Sequence, residues 1–306
     1  MKSQIVVLAV AIAVLLVTGA AMADTFGTGV SQFTIDFVPI SGATNPTSGY
    51  GIVNHDYRMG AYEITNDQWD KFEAAYGPVR DCQSAYTGTN VPVDRVTWFE
   101  AAQFVNYLNT STGNQAAYKF TGSTFTPWSA TDAGYDASNP YRNTVAKYFL
   151  PTEDEWVKAA YWNSTTLQLQ QWATKDGNTP TQAGWNFNAN FTYATNPPGP
   201  WIVGSGSQEL NGTYDMMGND WEWMESPWTS GDYGVSSARG WRGSDWHNGA
   251  YSFAASYRDN WGYPWGETDS SGFRVASVPE PGSISLVIAG WLCLFAYAWQ
   301  KGRQTA

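Results

Sequence analysis

GTYDMMGNDWEWMES, residues 212–226, sets four acids, Asp215, Asp220, Glu222 and Glu225, among Tyr214, Trp221, Trp223 and three methionines. Neither a plain core strand nor a solvated loop takes this mixture. A carboxylate held beside an indole has two physical readings. The acids can ligate a hard cation, which favours oxygen donors. Alternatively they face water while the tryptophans face the core, the usual partition of charged and apolar side chains.

The two ends of the chain frame that stretch. Lys2, an apolar run from Ile5 to Leu16 and Ala21-Met22-Ala23 before Asp24 have the charged start, greasy middle and small-residue cleavage site of a signal peptide, residues 1–23. At the other end, Ser283 to Trp299 is apolar and long enough to span a bilayer, and Lys301 and Arg303 mark its cytoplasmic side. The domain between, residues 24–277, is thus expected outside the cell. It is long enough for one large domain with a sizeable core.

The formal charge is −11, and more negative for the exported part, because three of the 16 basic residues sit in the terminal segments. Such a surface repels nucleic acid and anionic lipid, and is compatible with divalent cations and neutral glycans. Of the two cysteines, Cys293 lies in the apolar span, which leaves Cys82 alone in the domain. That excludes an intramolecular disulfide and a cysteine zinc or iron–sulfur site. Only 14% of residues are charged while 16% are aromatic, with 17 tryptophans and 30 glycines. A helical bundle has the opposite profile, so a loop-rich fold is expected, with aromatics filling the gaps between irregular segments.

Along the domain, residues 24–60 alternate apolar and polar positions and predict short strands. Three capping boxes then predict three helices: Thr65…Gln68 before Trp69, Phe72 and Tyr76, stopped by Gly77-Pro78; Thr97…Glu100 before Ala101, Phe104, Val105 and Leu108, closed by Asn109 and Gly113; and Thr152…Glu155 before Trp156, Ala159 and Ala160. The acids Glu153, Asp154 and Glu155 are read as capping and dipole residues rather than as a catalytic pair. Residues 110–147 read as a long surface insertion with a short hairpin. From Trp172 onward no further helix is expected. Helices early, irregular segments late and no βαβ alternation predict a single α+β domain.

Read in order, these segments resemble the sulfatase-modifying-factor, or formylglycine-generating-enzyme, family. The resemblance rests on Tyr62-Glu63-Ile64-Thr65-Asn66, Pro92-Val93 with the Trp98 helix, Leu150-Pro151-Thr152-Glu153-Asp154-Glu155-Trp156, Gly212 to Trp223, Arg242-Gly243-Ser244-Asp245-Trp246, and Gly272-Phe273-Arg274-Val275-Ala276. It implies a C-type-lectin-like fold with few regular elements. The tail, residues 278–306, with Pro279-Glu280-Pro281, the apolar span and the basic end, resembles a PEP-CTERM sorting signal. That implies an exosortase-type protease as partner, membrane attachment through the span before processing, and residence at the cell envelope, outer surface or extracellular matrix of a bacterium.

The family's founding activity oxidises a cysteine to formylglycine with oxygen and copper(I) held by two thiolates, positions that fall near Asn248 and Phe253 here. The interval contains no cysteine. Copper(I) selects soft thiolates, so copper is not expected. A facial triad of His55, His247 and one carboxylate is an alternative on paper. The resemblance further implies a calcium site made by the Asp215 side chain, the backbone oxygens of Gly218 and Asp220, and the Glu222 side chain, and a second calcium site at Asn190 and Phe191. Two functions follow as expectations: a calcium-stabilised glycan- or peptide-binding module with no catalytic residues, or a family oxidoreductase, formylglycine-generating or non-haem metal oxygenase in type, with an altered active site.

Overall fold

In a computed structural model the description covers residues 22–279 except 82, 190, 191, 196 and 197. The expected signal peptide up to residue 21, Cys82, the second calcium pair Asn190 and Phe191, and the sorting residues Glu280 and Pro281 with the apolar span lie outside the described residues. Pro279 is the last described residue and is exposed. Among the described residues no helix is long and apolar enough to cross a membrane.

The three helices are α1 (Asn66–Tyr76), α2 (Trp98–Ser111) and α3 (Glu153–Tyr161), and each starts on a reciprocal capping box. In α3, for example, the Thr152 hydroxyl accepts from Glu155 N at 3.2 Å while Glu155 Oε2 accepts from Thr152 N at 2.7 Å. Two donors left over at a helix start are thereby satisfied without water. Gly77 ends α1 at φ 107°, as its position after Tyr76 predicts. The end of α2 differs from expectation. Asn109 does not close the helix; it is buried within it, donates to Val105 O and Tyr148 O, and accepts from Lys147 N and Tyr148 N. An amide that serves a neighbouring strand has no need to stop its own helix.

Among the described residues the strands form a five-stranded sheet, a four-stranded sheet and three two-stranded ones. The first has the order Met22–Phe26, Phe33–Ile40, Tyr57–Gly60, Ala276–Ser277, Tyr148–Phe149, with every pair antiparallel. Strands from the start and the end of the domain therefore meet in one sheet. Arg58 ties them together, donating to Asp24 at 2.6 and 2.9 Å and to Ser277 Oγ at 2.9 Å. The second sheet has the order Asp259–Gly262, Arg239–Arg242, Trp221–Pro227, Ser271–Gly272, the last pair parallel.

Residues 110–147 are not a surface insertion. The expected hairpin forms at Phe120–Thr121 and Thr124–Phe125, but Ala117, Tyr118, Phe125, Tyr141 and Ala146 are buried in the main core. The segment lacks periodicity because isolated aromatics, not a helical stripe, fill the core. Trp98 takes Tyr118 and Phe125 edge-on, with ring centroids 5.2 and 5.0 Å away. Such contacts add modestly to the burial of the rings themselves.

Candidate functional site

Residues 214–225 lie where the two sheets and α3 converge. The turn that opens the segment is wound left-handed at Asp215 (φ 60°), Gly218 (φ 89°) and Asn219 (φ 66°), and two of these are not glycine. Asn219 holds this conformation with its side chain: its amide donates to Glu63 Oε2 at 2.7 Å, and its oxygen accepts from Trp201 N at 2.6 Å and Asn186 Nδ2 at 3.1 Å. Glu63 Oε1 accepts from Asp220 N at 3.1 Å. Glu63 from one quoted segment thus clamps the turn of another.

Four residues on, Glu222 enters the second sheet. Both of its oxygens are taken: Arg274 donates to Oε2 at 2.6 Å and Oε1 at 2.7 Å, and Trp156 Nε1 donates to Oε2 at 2.8 Å. Glu222, expected as a calcium ligand, thus holds a guanidinium and an indole N–H through its two oxygens. A carboxylate with both oxygens in charge-assisted bonds already has its counter-ion. Arg274 also donates to the carbonyls of Gly60, Ala61 and Tyr214, so it knots both sheets to the turn.

Glu63, Glu209 and Asp215 share the charge of that one arginine rather than each holding its own. Glu63, Glu209, Asp215, Asp220 and Glu222 are all buried, and Arg274 is the guanidinium among them. Burial, followed by the charges of Asp215 and Glu222, pushes the Glu63 carboxyl well above its usual range. Burial pushes Glu209 up to about 8 and Asp215 up to about 6, against the pull of Arg274. Asp220 is pushed well up by burial first and then by Glu63, Asp94, Asp245 and Asp269. Neither of its carboxylate oxygens has a hydrogen-bond partner. Burying a charge is costly unless it is paired, so a centre of this composition holds protons or a cation.

That tests the expected calcium shell. The orphaned Asp220 carboxylate and the buried acid excess fit a hard cation. Among the described residues, however, no three His, Cys, Asp or Glu side chains gather closely enough to hold a metal by themselves. Backbone oxygens such as those of Gly218 and Asp220 would have to complete the shell, with Asp215, which now accepts from Gly204 N at 2.7 Å, as the side-chain ligand beside them. Glu225 has a different task. The buried Tyr118 Oη donates to it at 2.7 Å, and the half-buried Asn139 and Arg142 approach from the rim, Asn139 donating at 2.5 Å and Arg142 lying 3.3 Å away.

The segment where the resemblance places copper thiolates is occupied by structural contacts. Phe253 is fully buried against Phe187, and Asn248 caps the Asp245 carboxylate with its amide at 2.7 Å. Ser244 and Ser252 share a 2.5 Å bond, and Ser270 donates to Asp245 at 2.6 Å. The two histidines sit in separate settings, His55 against Tyr57 and Glu155, His247 stacked on Trp246 beside Asp245. Sequence reasoning missed Glu153 as an ion-pair centre: besides starting α3 it takes Arg242 at 2.7 Å and Arg258 at 2.6 and 2.7 Å. It also left Arg274 and Glu63 without roles. The signal was present in a chain only 14% charged, where arginines and glutamates recur inside apolar motifs.

Comparison with known proteins fits this picture. The model of the family described as sulfatase-modifying factor enzyme 1-like domain matches residues 14–278. The protein called Chaperone protein LppX, of Paenibacillus barcinonensis, is 29% identical over 259 residues, covering 74% of this chain and 84% of that protein. Treponema denticola variable protein 1 superposes with a TM-score of 0.61 at 20% identity, over 85% of this chain and 100% of that one. CarF gives 0.63 at 20% identity, over 80% and 99%. PvdO from Pseudomonas aeruginosa gives 0.51 at 18%, over 85% and 92%. The fold is accordingly C-type-lectin-like, mixed in helix and strand, and loop-rich.

Proposed function

The chain belongs to the sulfatase-modifying factor enzyme 1-like family, and we propose that it is an exported, calcium-stabilised binding module of that family rather than an oxidase. The carrying observation is the use made of the expected catalytic interval. Within it Ser244 bonds to Ser252, Asn248 and Ser270 bond to Asp245, and Phe253 fills core where the resemblance places a thiolate. A scaffold whose would-be reactive positions support loops can hold a surface rigid without performing chemistry. The likeness to a protein named as a chaperone supports a role in contacting other molecules. Calcium at Asp215, Gly218 and Asp220 would offset the buried acids, with Glu222 retained by Arg274. Export, sorting through Pro279-Glu280-Pro281 and release by an exosortase-type protease complete the proposal.

The test is to present the purified chain to peptide and polysaccharide arrays, and in parallel to cysteine-containing peptides under oxygen with copper or iron supplied. Ligand capture without aldehyde formation supports the module. Stoichiometric aldehyde formed at a peptide cysteine would replace it with the oxidoreductase alternative.

A further inference from the structure

The second sheet carries one feature that neither the buried acids nor the lost thiolates account for. Between the strands Asp259–Gly262 and Ser271–Gly272 the chain turns through Tyr263-Pro264-Trp265-Gly266. Tyr263 is 55% exposed and Trp265 56%, while Pro264 between them is buried. Their rings stack on each other, with centroids 5.3 Å apart and planes 16° from parallel. Single exposed apolar residues are common and need no explanation. This pair is different in kind: among the tryptophans whose side chains are described, Trp265 is the one classed as exposed.

The turn that presents the rings is held firmly. Gly266 N donates to Tyr263 O at 2.7 Å and closes it, and Pro264 O accepts from Trp98 N at 3.1 Å, at the start of α2. Behind it, Arg95 N donates to Thr268 O at 3.0 Å and Thr268 N to Ser271 Oγ at 2.8 Å. Trp98 is itself fully buried, so the turn is anchored to the main core. Two rings placed in advance on a fixed backbone lose little entropy when a ligand arrives.

We infer that the Tyr263–Trp265 ledge is a binding site for an uncharged polysaccharide, whose pyranose rings lay their C–H faces on the exposed indole and phenol. This rests on the binding-module reading and names the ligand class. Three observations select it. The rings supply an apolar face with polar tips, suited to a ligand that is apolar on one side and hydroxylated on the other. The residues that follow the turn are Glu267, Thr268 and Asp269, with Arg95 bonded to Thr268 behind them, and the net charge of −11 opposes anionic glycans. The apolar area is two rings, far short of the roughly 800 Å² per partner of a stable protein interface.

The probes are laminarin, hydroxyethylcellulose, xylan and galactomannan as neutral polysaccharides, and polygalacturonate as the anionic control, followed with the purified full chain by affinity electrophoresis and tryptophan fluorescence. At least one neutral polymer is expected to bind, with affinity falling at least tenfold in Trp265→Ala and in Tyr263→Ala. Trp265→Phe should recover part of the loss, and Tyr251→Ala, at an exposed ring elsewhere, should bind as the wild type does. Circular dichroism on each variant confirms that the fold is kept. Neutral binding that survives Trp265→Ala overturns the inference, as does preferred binding of polygalacturonate. Peptide-array binding with no neutral polysaccharide bound removes the ledge proposal but leaves the module intact; if that peptide signal disappears in Trp265→Ala, the ledge is a protein contact instead. No binding to either class removes both.

Discussion

Arg274 reaches Glu222 as a fully buried two-point pair, Nε to Oε2 at 2.6 Å and Nη2 to Oε1 at 2.7 Å. The parallel pairing of Ser271–Gly272 with the strand Trp221–Pro227 sets Gly272 opposite Glu222 and delivers Arg274 two residues later. Truncating one partner of a buried pair leaves the other charge uncompensated, at a cost of about 3–5 kcal/mol. Arg274→Met is therefore expected to destabilise the domain by that order in urea unfolding, and Arg274→Met with Glu222→Leu by clearly less. If the single and double variants unfold alike, the pair is not what holds the two sheets to the turn.

Removal of calcium is the next prediction. A ligand bound only by the folded state, at one hundred times its dissociation constant, stabilises by about 2.7 kcal/mol. A chelator is expected to lower the melting temperature by several degrees, a change of about 2–4 °C per kcal/mol for a domain of this size. In Asp220→Asn the chelator effect should shrink, while the calcium-free form melts higher than the wild type near neutral pH, because an unpartnered carboxyl pushed well up by burial no longer has to take up a proton in the core. An unchanged melting temperature with and without chelator, at saturating calcium, removes calcium from the proposal.

Two carboxyls shifted in opposite directions show how stability depends on pH. Glu155 is pushed up by burial, but Arg142, His55 and Thr152 outweigh that and hold it down at about 2. Its depressed value gives stability that is present above the ordinary 4.5 and lost as pH falls toward 2. Glu209, raised to about 8 by burial, gives stability present below 4.5 and lost as pH rises through 8. Each slope approaches about 1.4 kcal/mol per pH unit within its window. In chelator, Glu209→Gln should lessen the fall between pH 4.5 and 8, to which the raised Glu63, Asp215 and Asp220 carboxyls also contribute, and leave the acid limb alone. A variant that tracks the wild type throughout shows that Glu209 does not hold its proton.

Gly218→Ala should be severe. The glycine sits at φ 89°, and an added Cβ would meet Asn186 O at 2.2 Å, a backbone atom that also accepts from Asn219 N. Strain and collision together exceed the ~1 kcal/mol scale of tolerated glycine changes. Poor expression, or a melting temperature reduced well beyond that of Gly231→Ala, is the expected result; Gly231 also has positive φ but open space around it.

Tyr118→Phe probes the segment expected to be superficial. The hydroxyl donates to Glu225 Oε2 at 2.7 Å and accepts from Leu150 N at 2.8 Å, both buried. Two groups left without a partner cost about 1–3 kcal/mol each before any rearrangement. A loss below about 0.5 kcal/mol in denaturant titration would mean that water enters and replaces the hydroxyl.

The three helices were legible because their signals are local. Thr65 with Gln68, Thr97 with Glu100 and Thr152 with Glu155 satisfy one another's backbone within a single turn, and no distant residue can cancel that. The family resemblance was legible for the same reason, as contiguous motifs in order. Asn109 was misread because its partners, Lys147 and Tyr148, lie almost forty residues away. Residues 110–147 were misread because burial there depends on single aromatics meeting Trp98, and no periodic pattern records that.

The GTYDMMGNDWEWMES stretch shows where the division falls. Its sequence determined that acids and indoles would share a confined place, that glycine would sit at the turn, and that no thiol would stand thirty residues later. Only the tertiary structure assigned the acids: Glu222 to Arg274, Glu225 to Tyr118 and Asn139, Asp215 to the Gly204 amide, and Asp220 to no donor. The reason is physical. A carboxylate's state depends on which charges and donors lie within a few ångströms in a medium of low polarity, and those neighbours come from residues 60 to 274 apart from the stretch itself.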